Sequence, residues 1–323
     1  MPSSPKVSLQ INLSPGDYLH AKYLLKHQLK ALSGQVDEIL LTVDTRVSKG
    51  RFSTDWEIYK DALNTFLKTE IEPGFKVRII FVDYSKPVKQ AIAQYFFGGD
   101  HIPDKDFRGG PFYAYFFGLF NAANDLVFHL DSDIFLGGGS QTWINEAVQL
   151  FKNDASCFTV SPLPGPPHPE DILIGQDIES KIAPYTFAFT NMSTRIFMLD
   201  KSRFKTQKLS LKKPAIRSQI KALIDGNSNA DLPEHMISDY LKKHHLKRID
   251  FLGDSPGLWS LHPPYRSKTF YAGLQKLISD VENGGLPAAQ NGYYDVVDEV
   301  CDWTEGRQNL KNKRWWKRYF SRA

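Results

Sequence analysis

The sequence predicts an α/β fold with a mostly parallel central sheet, flanking helices and a small antiparallel subsheet. Three short apolar segments, at residues 7–13, 38–44 and 76–83, have the length and composition of buried strands. Longer segments with helical spacing separate them, so the chain alternates strand, helix, strand, helix, strand. Parallel strands need long crossover connections, which are usually helices, and this alternation therefore indicates a parallel sheet.

The first helix is predicted over residues 18–32, because leucines recur there at helical spacing and Ser33-Gly34 is a C-terminal signal. A helix over about 56–69 ends at Pro73-Gly74 by the same reasoning. The next elements are a helix at 86–97, a loop at 98–111, a helix at 112–123 and an apolar strand from Leu126.

In the second half, Pro162 to Pro169 is predicted to be a loop, because its prolines fit neither a helix nor a central strand. The other predicted elements are a helix at 143–151, strands at 157–161, 185–190, 194–200 and 248–252, a basic linker and helix at 201–224, a helix at 232–245 and loops at 225–231 and 253–266.

The composition is that of an ordinary globular protein, with 323 residues, 41% of them hydrophobic and 24% charged. Two cysteines, Cys157 and Cys301, exclude a disulfide framework and fit a reducing compartment. No apolar signal region follows Met1, and the longest apolar stretch, residues 111–123, is too short to span a membrane. We therefore expect a cytoplasmic protein, with peripheral contact at the inner face of the membrane.

The strand that begins at Leu126 ends in Asp131 and Asp133, just before the glycine-rich turn 137–139. Strand periodicity would place the two carboxylates on one face. Such hard oxygen ligands suit Mg²⁺ or Mn²⁺, which usually keep waters and substrate phosphates as further ligands. The alternative is a turn in which each Asp makes local hydrogen bonds, because a bare D-x-D sequence is common by chance.

Polar residues also follow the other predicted strands of the first half. In open parallel sheets, ligands bind beyond the carboxyl ends of the strands. We therefore expect a single binding edge formed by Asn12, Asp44, Asp83, Asp131 and Asp133.

In this setting the D-x-D sequence resembles the motif of nucleotide-sugar-dependent glycosyltransferases, and residues 6–270 resemble the family-2 type of the GT-A fold. The resemblance implies a Rossmann-like GT-A domain over those residues. It implies that Asp44 binds the nucleotide base and that Arg108 contacts the base or the diphosphate, while Asn12 and Asp83 line the nucleotide-sugar site. It also implies that Asp133 ligates the metal directly, and that Asp131 holds sugar hydroxyls and bridges to the ion through water.

Two departures from the family pattern concern the base contacts. The first strand ends in Asn12-Leu-Ser-Pro-Gly, where the family usually has a polar-Tyr-Asn ending, and the second ends in Val43-Asp44-Thr45 where the family has Val-Asp-Asp. The choice among nucleotides stays open.

The resemblance also implies a general base at Glu234, in Leu-Pro-Glu-His-Met-Ile, where His235 replaces the family's Asp. A carboxylate at a helix N-terminus is also favourable through the helix dipole alone. Asp231 and Asp239 are the alternatives for the base.

His262 resembles the late histidine that supplies another metal ligand in many GT-A enzymes, and Arg266 and Lys268 follow it as candidate diphosphate contacts. A single histidine is more often structural. His129, which shares the strand face of the two aspartates, is predicted to be such a core histidine.

Residues 271–323 are predicted to be a helical C-terminal extension with a basic, aromatic tail at 307–323, and residues 1–5 to be disordered. The tail holds seven Lys or Arg and no acid, so subtracting 7 from the net charge of +4 leaves −3 for the remainder. This distribution argues against nucleic acid as a partner. The tail places Trp315, Trp316, Tyr319 and Phe320 on one side of a helix and Lys313, Arg314, Lys317 and Arg318 on the other.

That pattern favours docking on an anionic membrane, and the alternative is that the aromatic residues pack against the catalytic domain.

The sequence therefore predicts a hexosyltransferase of glycan biosynthesis that uses Mn²⁺ or Mg²⁺ and a nucleoside-diphosphate sugar. The ion and the basic residues would stabilise charge on the departing nucleoside diphosphate. Glu234 would deprotonate the attacking hydroxyl, which inverts the anomeric carbon. The acceptor is a glycan, a lipid or a small molecule, and variable loops such as residues 162–174 would bind it.

Two alternatives remain. A sugar-phosphate nucleotidyltransferase would need a glycine-rich, basic loop after the first strand, whereas Leu13 to His20 has one glycine and no Arg or Lys. The other is a catalytically inactive, transferase-like module that binds membranes.

Overall fold

The computed structural model describes residues 5–47 and 56–312. Its strands, in chain order, are β1 (Val7–Leu13), β2 (Glu38–Val43), β3 (Arg78–Phe81), β4 (Leu126–Asp131), β5 (Phe135–Gly137), β6 (Cys157–Pro164), β7 (Ser180–Ala183), β8 (Thr186–Phe189), β9 (Ile196–Asp200), β10 (Lys247–Phe251) and β11 (Trp259–Leu261). Its helices are α1 (Tyr18–Leu32), α2 (Trp56–Phe66), α3 (Lys86–Phe97), α4 (Tyr113–Asn121), α5 (Trp143–Asn153), α6 (Ile216–Asp225), α7 (Pro233–Lys243), α8 (Lys268–Glu282) and α9 (Thr304–Asn312).

The strands form one sheet in the order β3-β2-β1-β4-β9-β6-β10-β8-β7, with β11 beside β6 and β5 beside β11. Strands β1 to β4 pair in parallel. Strand β9 lies antiparallel between β4 and β6, so β6 runs in the same direction as β4, and β10 and β11 pair with β6 in parallel. The antiparallel pairs β8–β10, β7–β8 and β5–β11 complete the sheet. The predicted fold class is confirmed.

Alternation along the strands divides the core between the two faces of the sheet. In β4, Phe128 packs with helices α1, α2 and α5 on one face, whereas Val127 packs with α3, α4 and α7 on the other. Each fully buried Leu, Ile or Phe side chain contributes roughly 1.5–3 kcal/mol to the free energy of folding, relative to leaving it exposed. These two layers fix β1 to β4, and with them the carboxyl edge of the sheet.

A third apolar cluster joins the C-terminal segment to the body. Leu274 of α8 and the buried Trp303 pack with Leu24 of α1 and Phe135 of β5. The predicted domain boundary at residue 270 therefore falls inside α8, and the division into 6–270 and 271–323 stays a prediction. Of residues 1–5, which were predicted to be disordered, 1–4 lie outside the described residues. Of the predicted tail at 307–323, residues 307–312 belong to α9 and those from 313 onward lie outside the described residues. Over the described residues, no helix combines the length and apolarity needed to cross a bilayer.

The prediction that residues 162–169 form only a loop was wrong in its first part. Strand β6 continues through Pro162, Leu163 and Pro164. Leu163 and Gly165, which alternate with the prolines, donate their backbone N–H groups to Leu258 and Ser260 at 3.2 and 2.9 Å. The prolines occupy positions whose N–H would point to the other side, so the strand loses no bond along this ladder.

Several other expectations need correction. Strand β11 lies inside the predicted loop 253–266, and no strand was predicted at β5 or β7, because three or four residues carry too little periodicity to predict a strand. Within the predicted basic linker and helix at 201–224, the helix is α6, and the linker begins with a 3₁₀ turn at Lys201–Lys205. The helix predicted to end near residue 69 continues as a π-helical turn at Leu67–Ile71.

Candidate functional site

The D-x-D segment forms a turn held by the first helix. Strand β4 ends at Asp131, so Asp133 lies beyond the strand and strand periodicity does not set its direction. Gln28 of α1 donates from Nε2 to the backbone oxygens of Asp131 and Ile134, at 3.0 and 2.8 Å. This contact fixes the turn to the helix packed beneath it.

Asp131 lies among polar side chains of three elements. The Tyr115 hydroxyl donates to Asp131 Oδ1 at 2.6 Å, and His129 Nε2 lies 3.4 Å from the same oxygen. On β1, Asn12 is in register with Asp131, and its buried Nδ2 has no hydrogen-bond partner. His129 is fully buried and its Nδ1 contacts Gln10, which agrees with a core histidine.

Asp133 is 2% exposed, and its two carboxylate oxygens differ. One contacts the guanidinium of Arg266, and the other is buried without a hydrogen-bond partner. A buried carboxylate oxygen left unpaired is costly, so it is a good ligand for a cation. Because the Arg266 side chain is 40% exposed, it can move aside without leaving a cavity. The donor chemistry therefore fits a divalent ion.

A third carboxylate at this edge, Asp17, was missed by sequence reasoning. Asp17 lies three residues after Ser14, and the backbone N–H and the hydroxyl of Ser14 both donate to Asp17 Oδ2 at 2.8 Å. Burial raises the pKa of Asp17, the charge of Arg266 lowers it, and the charge of Asp131 raises it. Asp17 thus lies within electrostatic reach of both. The Ser-Pro-Gly-Asp capping sequence was its only signal, and that signal is local.

His262 lies within electrostatic reach of Asp131. Its Nδ1 lies 2.7 Å from Asp295 Oδ1, and its ring stacks on Tyr294. Burial lowers the pKa of His262, which favours the neutral ring that binds metals, while the charge of Asp131 raises it. Asp295, which orients the ring through Nδ1, was also missed by sequence reasoning.

Glu234 lies in the first turn of α7, where the Thr194 hydroxyl donates to its Oε2 at 3.0 Å. Burial lowers the pKa of the neighbouring Arg195, but surrounding acidic groups, including Asp131 and Glu234, raise it overall. The two alternative bases are engaged elsewhere: Asp231 lies 3.0 Å from His235, and Asp239 pairs with Lys212.

The other residues predicted to bind the nucleotide sugar differ in burial and in their hydrogen-bond partners. Asp44 is buried, pairs with Lys105 at 2.6 Å and accepts the Tyr84 hydroxyl at 2.8 Å. Asp83 is exposed and accepts the backbone N–H of Ser85.

Arg108 lies over the Phe107 ring, on a loop tied to Ala230 through the Phe107 N–H. Lys268 is exposed at the start of α8, and its backbone N–H donates to Glu305. The roles of these residues stay predictions.

Within residues 5–47 and 56–312, no three or more His, Cys, Asp or Glu side chains are arranged to hold a metal ion. The set Asp131, Asp133 and His262 is therefore not a preformed cluster, and its role as ligands stays a prediction.

A cavity of about 590 Å³ opens beside the His262 side of this site. Asp295, which contacts His262, lines it together with Tyr265, Tyr293, Asn291, Asp298 and Arg307. These side chains offer carboxylates, an amide and aromatic faces, which suit a hydroxyl-rich ligand.

No family model and no curated protein matches this sequence. Solved structures with a similar fold include glucosyl-3-phosphoglycerate synthase from Mycobacterium tuberculosis, in complex with Mn²⁺, UDP and glucosyl-3-phosphoglycerate. That similarity covers 88% of this chain and 81% of that chain, at 11% identity and a TM-score of 0.36.

UDP-glucose pyrophosphorylase, complexed with UDP-glucose, matches 76% of this chain and 90% of its own, at 10% identity and a TM-score of 0.39. S. aureus TarS, in complex with UDP-GlcNAc, matches 85% of this chain and 65% of its own, at 12% identity and a TM-score of 0.38. Similarities this low assign no reaction to the chain.

Proposed function

We propose that the protein is a metal-dependent glycosyltransferase that moves a hexosyl group from a nucleoside-diphosphate sugar to an acceptor hydroxyl. One observation carries the proposal: Asp133 keeps a buried, unpaired carboxylate oxygen two residues beyond Asp131, at the carboxyl edge of parallel strands. A divalent ion bound there would supply a Lewis acid for the diphosphate. Asp131 and Asp133 would hold that ion, with the neutral His262 as the third protein ligand.

Arg266 has a second role in this proposal. It pairs with Asp133, and because its side chain is partly exposed it can turn toward an incoming diphosphate. Positive charge near the diphosphate of the donor sugar nucleotide would also come from Lys268, at the start of α8, and from Arg108. Together these cations stabilise the negative charge that develops as the nucleoside diphosphate leaves.

Glu234 is the proposed general base. The Thr194 hydroxyl holds one of its oxygens and orients the carboxylate, and Arg195 lies within electrostatic reach of Glu234 and Asp131. The other oxygen of Glu234 can accept the proton of an acceptor hydroxyl as that hydroxyl attacks the anomeric carbon. A single displacement of this kind inverts the anomeric configuration. The cavity beside Asp295 would hold the acceptor.

A sugar-phosphate nucleotidyltransferase is disfavoured by the segment after β1. That segment has no Arg or Lys, and it carries Asp17 close to Asp131. A third carboxylate would repel the extra phosphate of a nucleoside triphosphate.

The test is a thermal-shift screen with UDP-, GDP-, CDP- and dTDP-sugars, each with and without Mn²⁺. One nucleotide class should raise the melting temperature only when Mn²⁺ is present, and Asp133→Ala should lose that response. Glu70→Ala, which removes an exposed carboxylate paired with Lys26 on α1, is the matched control and should keep it.

Three results would contradict the proposal. Binding of the donor sugar nucleotide that does not depend on Mn²⁺ and is unchanged in Asp133→Ala would contradict the proposed metal site. Formation of a nucleotide sugar from a nucleoside triphosphate and a sugar phosphate would indicate a nucleotidyltransferase. Binding to liposomes without any response to nucleotides would indicate an inactive module.

A further inference from the structure

Helix α6 presents a row of large apolar side chains to solvent. Ile216, Ile220 and Leu223 expose 76%, 55% and 77% of their surface, and Ile224 exposes 40%. These positions follow the i, i+4, i+7, i+8 spacing that places side chains on one face of a helix. Leu211, just before the helix, is 39% exposed and extends the apolar character. Soluble proteins rarely expose such a patch unless it binds something.

The opposite face attaches this helix to the protein. Ala222 is the one buried side chain among the ten residues of α6, all of which are described. It packs with Phe107 and Leu232 in a small cluster of its own. A surface helix usually turns its large apolar side chains inward. Here the orientation is reversed, so the apolar row is available to a partner.

Cations border the apolar row. Lys213 and Arg217 are exposed, and Lys212 pairs with Asp239. Arg217 and Lys221 each directly follow an exposed isoleucine, so helical geometry places both along the same side of the row. Long basic side chains can lay their carbon stems beside apolar surface while their charges reach outward. This is the pattern of helices that lie in the plane of a membrane containing anionic lipids.

We propose that α6, with Leu211 and the preceding lysines, is a docking surface for an anionic lipid bilayer. Its apolar row would lie at the boundary of the acyl chains, and its cations would lie among the headgroups. The charge complementarity between the flanking cations and acidic lipids selects this partner. The surface is separate from the basic tail, and it does not depend on the proposed reaction.

The test is cosedimentation of the full chain with phosphatidylcholine vesicles, with and without phosphatidylserine. The double variant Ile220→Asn/Leu223→Asn should bind the anionic vesicles at least about tenfold more weakly, because two apolar anchors are lost. Lys213→Gln/Arg217→Gln should weaken binding to anionic vesicles by roughly twenty- to thirtyfold and leave binding to neutral vesicles unchanged, since each cation contributes about fivefold. Ile58→Asn, at an isoleucine that is 71% exposed on α2, is the matched control.

Circular dichroism and thermal unfolding establish that each variant is folded before binding is compared. Equal vesicle binding by the wild type and Ile220→Asn/Leu223→Asn would overturn the proposal. So would binding that is lost on deletion of residues 313–323 but kept in the helix variant. Self-association that the helix variant abolishes, without vesicle binding by the wild type, would assign α6 to a contact between copies instead.

Discussion

The guanidinium of Arg266 contacts one carboxylate oxygen of Asp133, whose other oxygen is buried without a partner. A carboxylate removed from water needs a compensating charge, and in this structure Arg266 supplies it. Because a divalent ion would need the same carboxylate, the guanidinium and the ion are expected to compete for it. In the proposed metal site, Arg266 is therefore expected to lower the affinity for metal before a nucleotide binds.

Replacing Arg266 by Met should strengthen Mn²⁺ binding in the absence of nucleotide by about tenfold, since the competing cation is gone. Without metal, the same variant should lose about 1–3 kcal/mol of stability, because Asp133 is left buried and unpaired. Isothermal titration with Mn²⁺ and urea unfolding measure the two effects. Arg78→Met, which removes an arginine paired with Glu38 at the other end of the sheet, should leave Mn²⁺ affinity unchanged. Unchanged affinity in Arg266→Met would contradict the competition.

Replacing Glu234 by Gln should lower turnover by about 10²- to 10⁴-fold while donor affinity is preserved, because Gln cannot accept the acceptor's proton. The Thr194 hydroxyl can still donate to the amide oxygen, so the helix start is retained. Turnover of the donor and its dissociation constant would be measured separately. Asp231→Asn is the comparison, since Asp231 already contacts His235. A larger loss of turnover in Asp231→Asn than in Glu234→Gln would indicate that Asp231 is the general base.

Two helical glycines should respond to alanine in opposite ways. A Cβ at Gly118 would lie 2.4 Å from Gln10 Nε2 and 2.9 Å from Thr42 Oγ1, inside the buried network beside His129. Gly118→Ala should therefore destabilise the protein by roughly 1–3 kcal/mol through overpacking.

At the exposed Gly273 of α8 a Cβ would meet nothing within 4 Å, so Gly273→Ala should stabilise the helix by about 0.5–1 kcal/mol. Chemical denaturation of both variants decides this, and a stabilised Gly118→Ala would contradict the packing described for α4.

The elements that the sequence predicted well are long and periodic. Helix α1 and helix α3 have the predicted bounds, because apolar spacing and strong end signals act together there. The short strands β5 and β11 were missed because they form by pairing with segments distant in the chain: β5 pairs with β11, and β11 pairs with β5 and β6. Strand β6 was predicted to stop at residue 161, because local proline chemistry gives no information about which side of a strand has a partner.

The candidate site was predictable where one strand carries the residues, and not where distant segments meet. Asp131 and Asp133 come at the end of an apolar strand, and the register of β1 brings Asn12 beside Asp131. By contrast, Asp17 and Asp295 come from segments almost 280 residues apart in the chain. No local pattern links them, so only the folded chain reveals that Asp17 lies within electrostatic reach of Asp131, and that Asp295 and Asp131 both act on Arg195.

Buried histidines should make the protein less stable in mild acid. Burial lowers the pKa of His20, His27 and His262 below the ordinary value near 6.5. As the pH falls below about 6.5, these histidines become protonated in the unfolded chain but stay neutral in the folded chain. Unfolding therefore becomes more favourable.

Each such histidine contributes up to about 1.4 kcal/mol per pH unit. His20 is fully buried, with Nε2 3.1 Å from the Ser132 hydroxyl, and Gln can keep that contact without titrating. Urea unfolding between about pH 7 and pH 5 should therefore show a shallower loss of stability in His20→Gln than in the wild type. The exposed His101→Gln should follow the wild type, since its surroundings change little on unfolding. An identical slope in His20→Gln and the wild type would mean that His20 takes up its proton in the folded protein over the same pH range as in the unfolded chain.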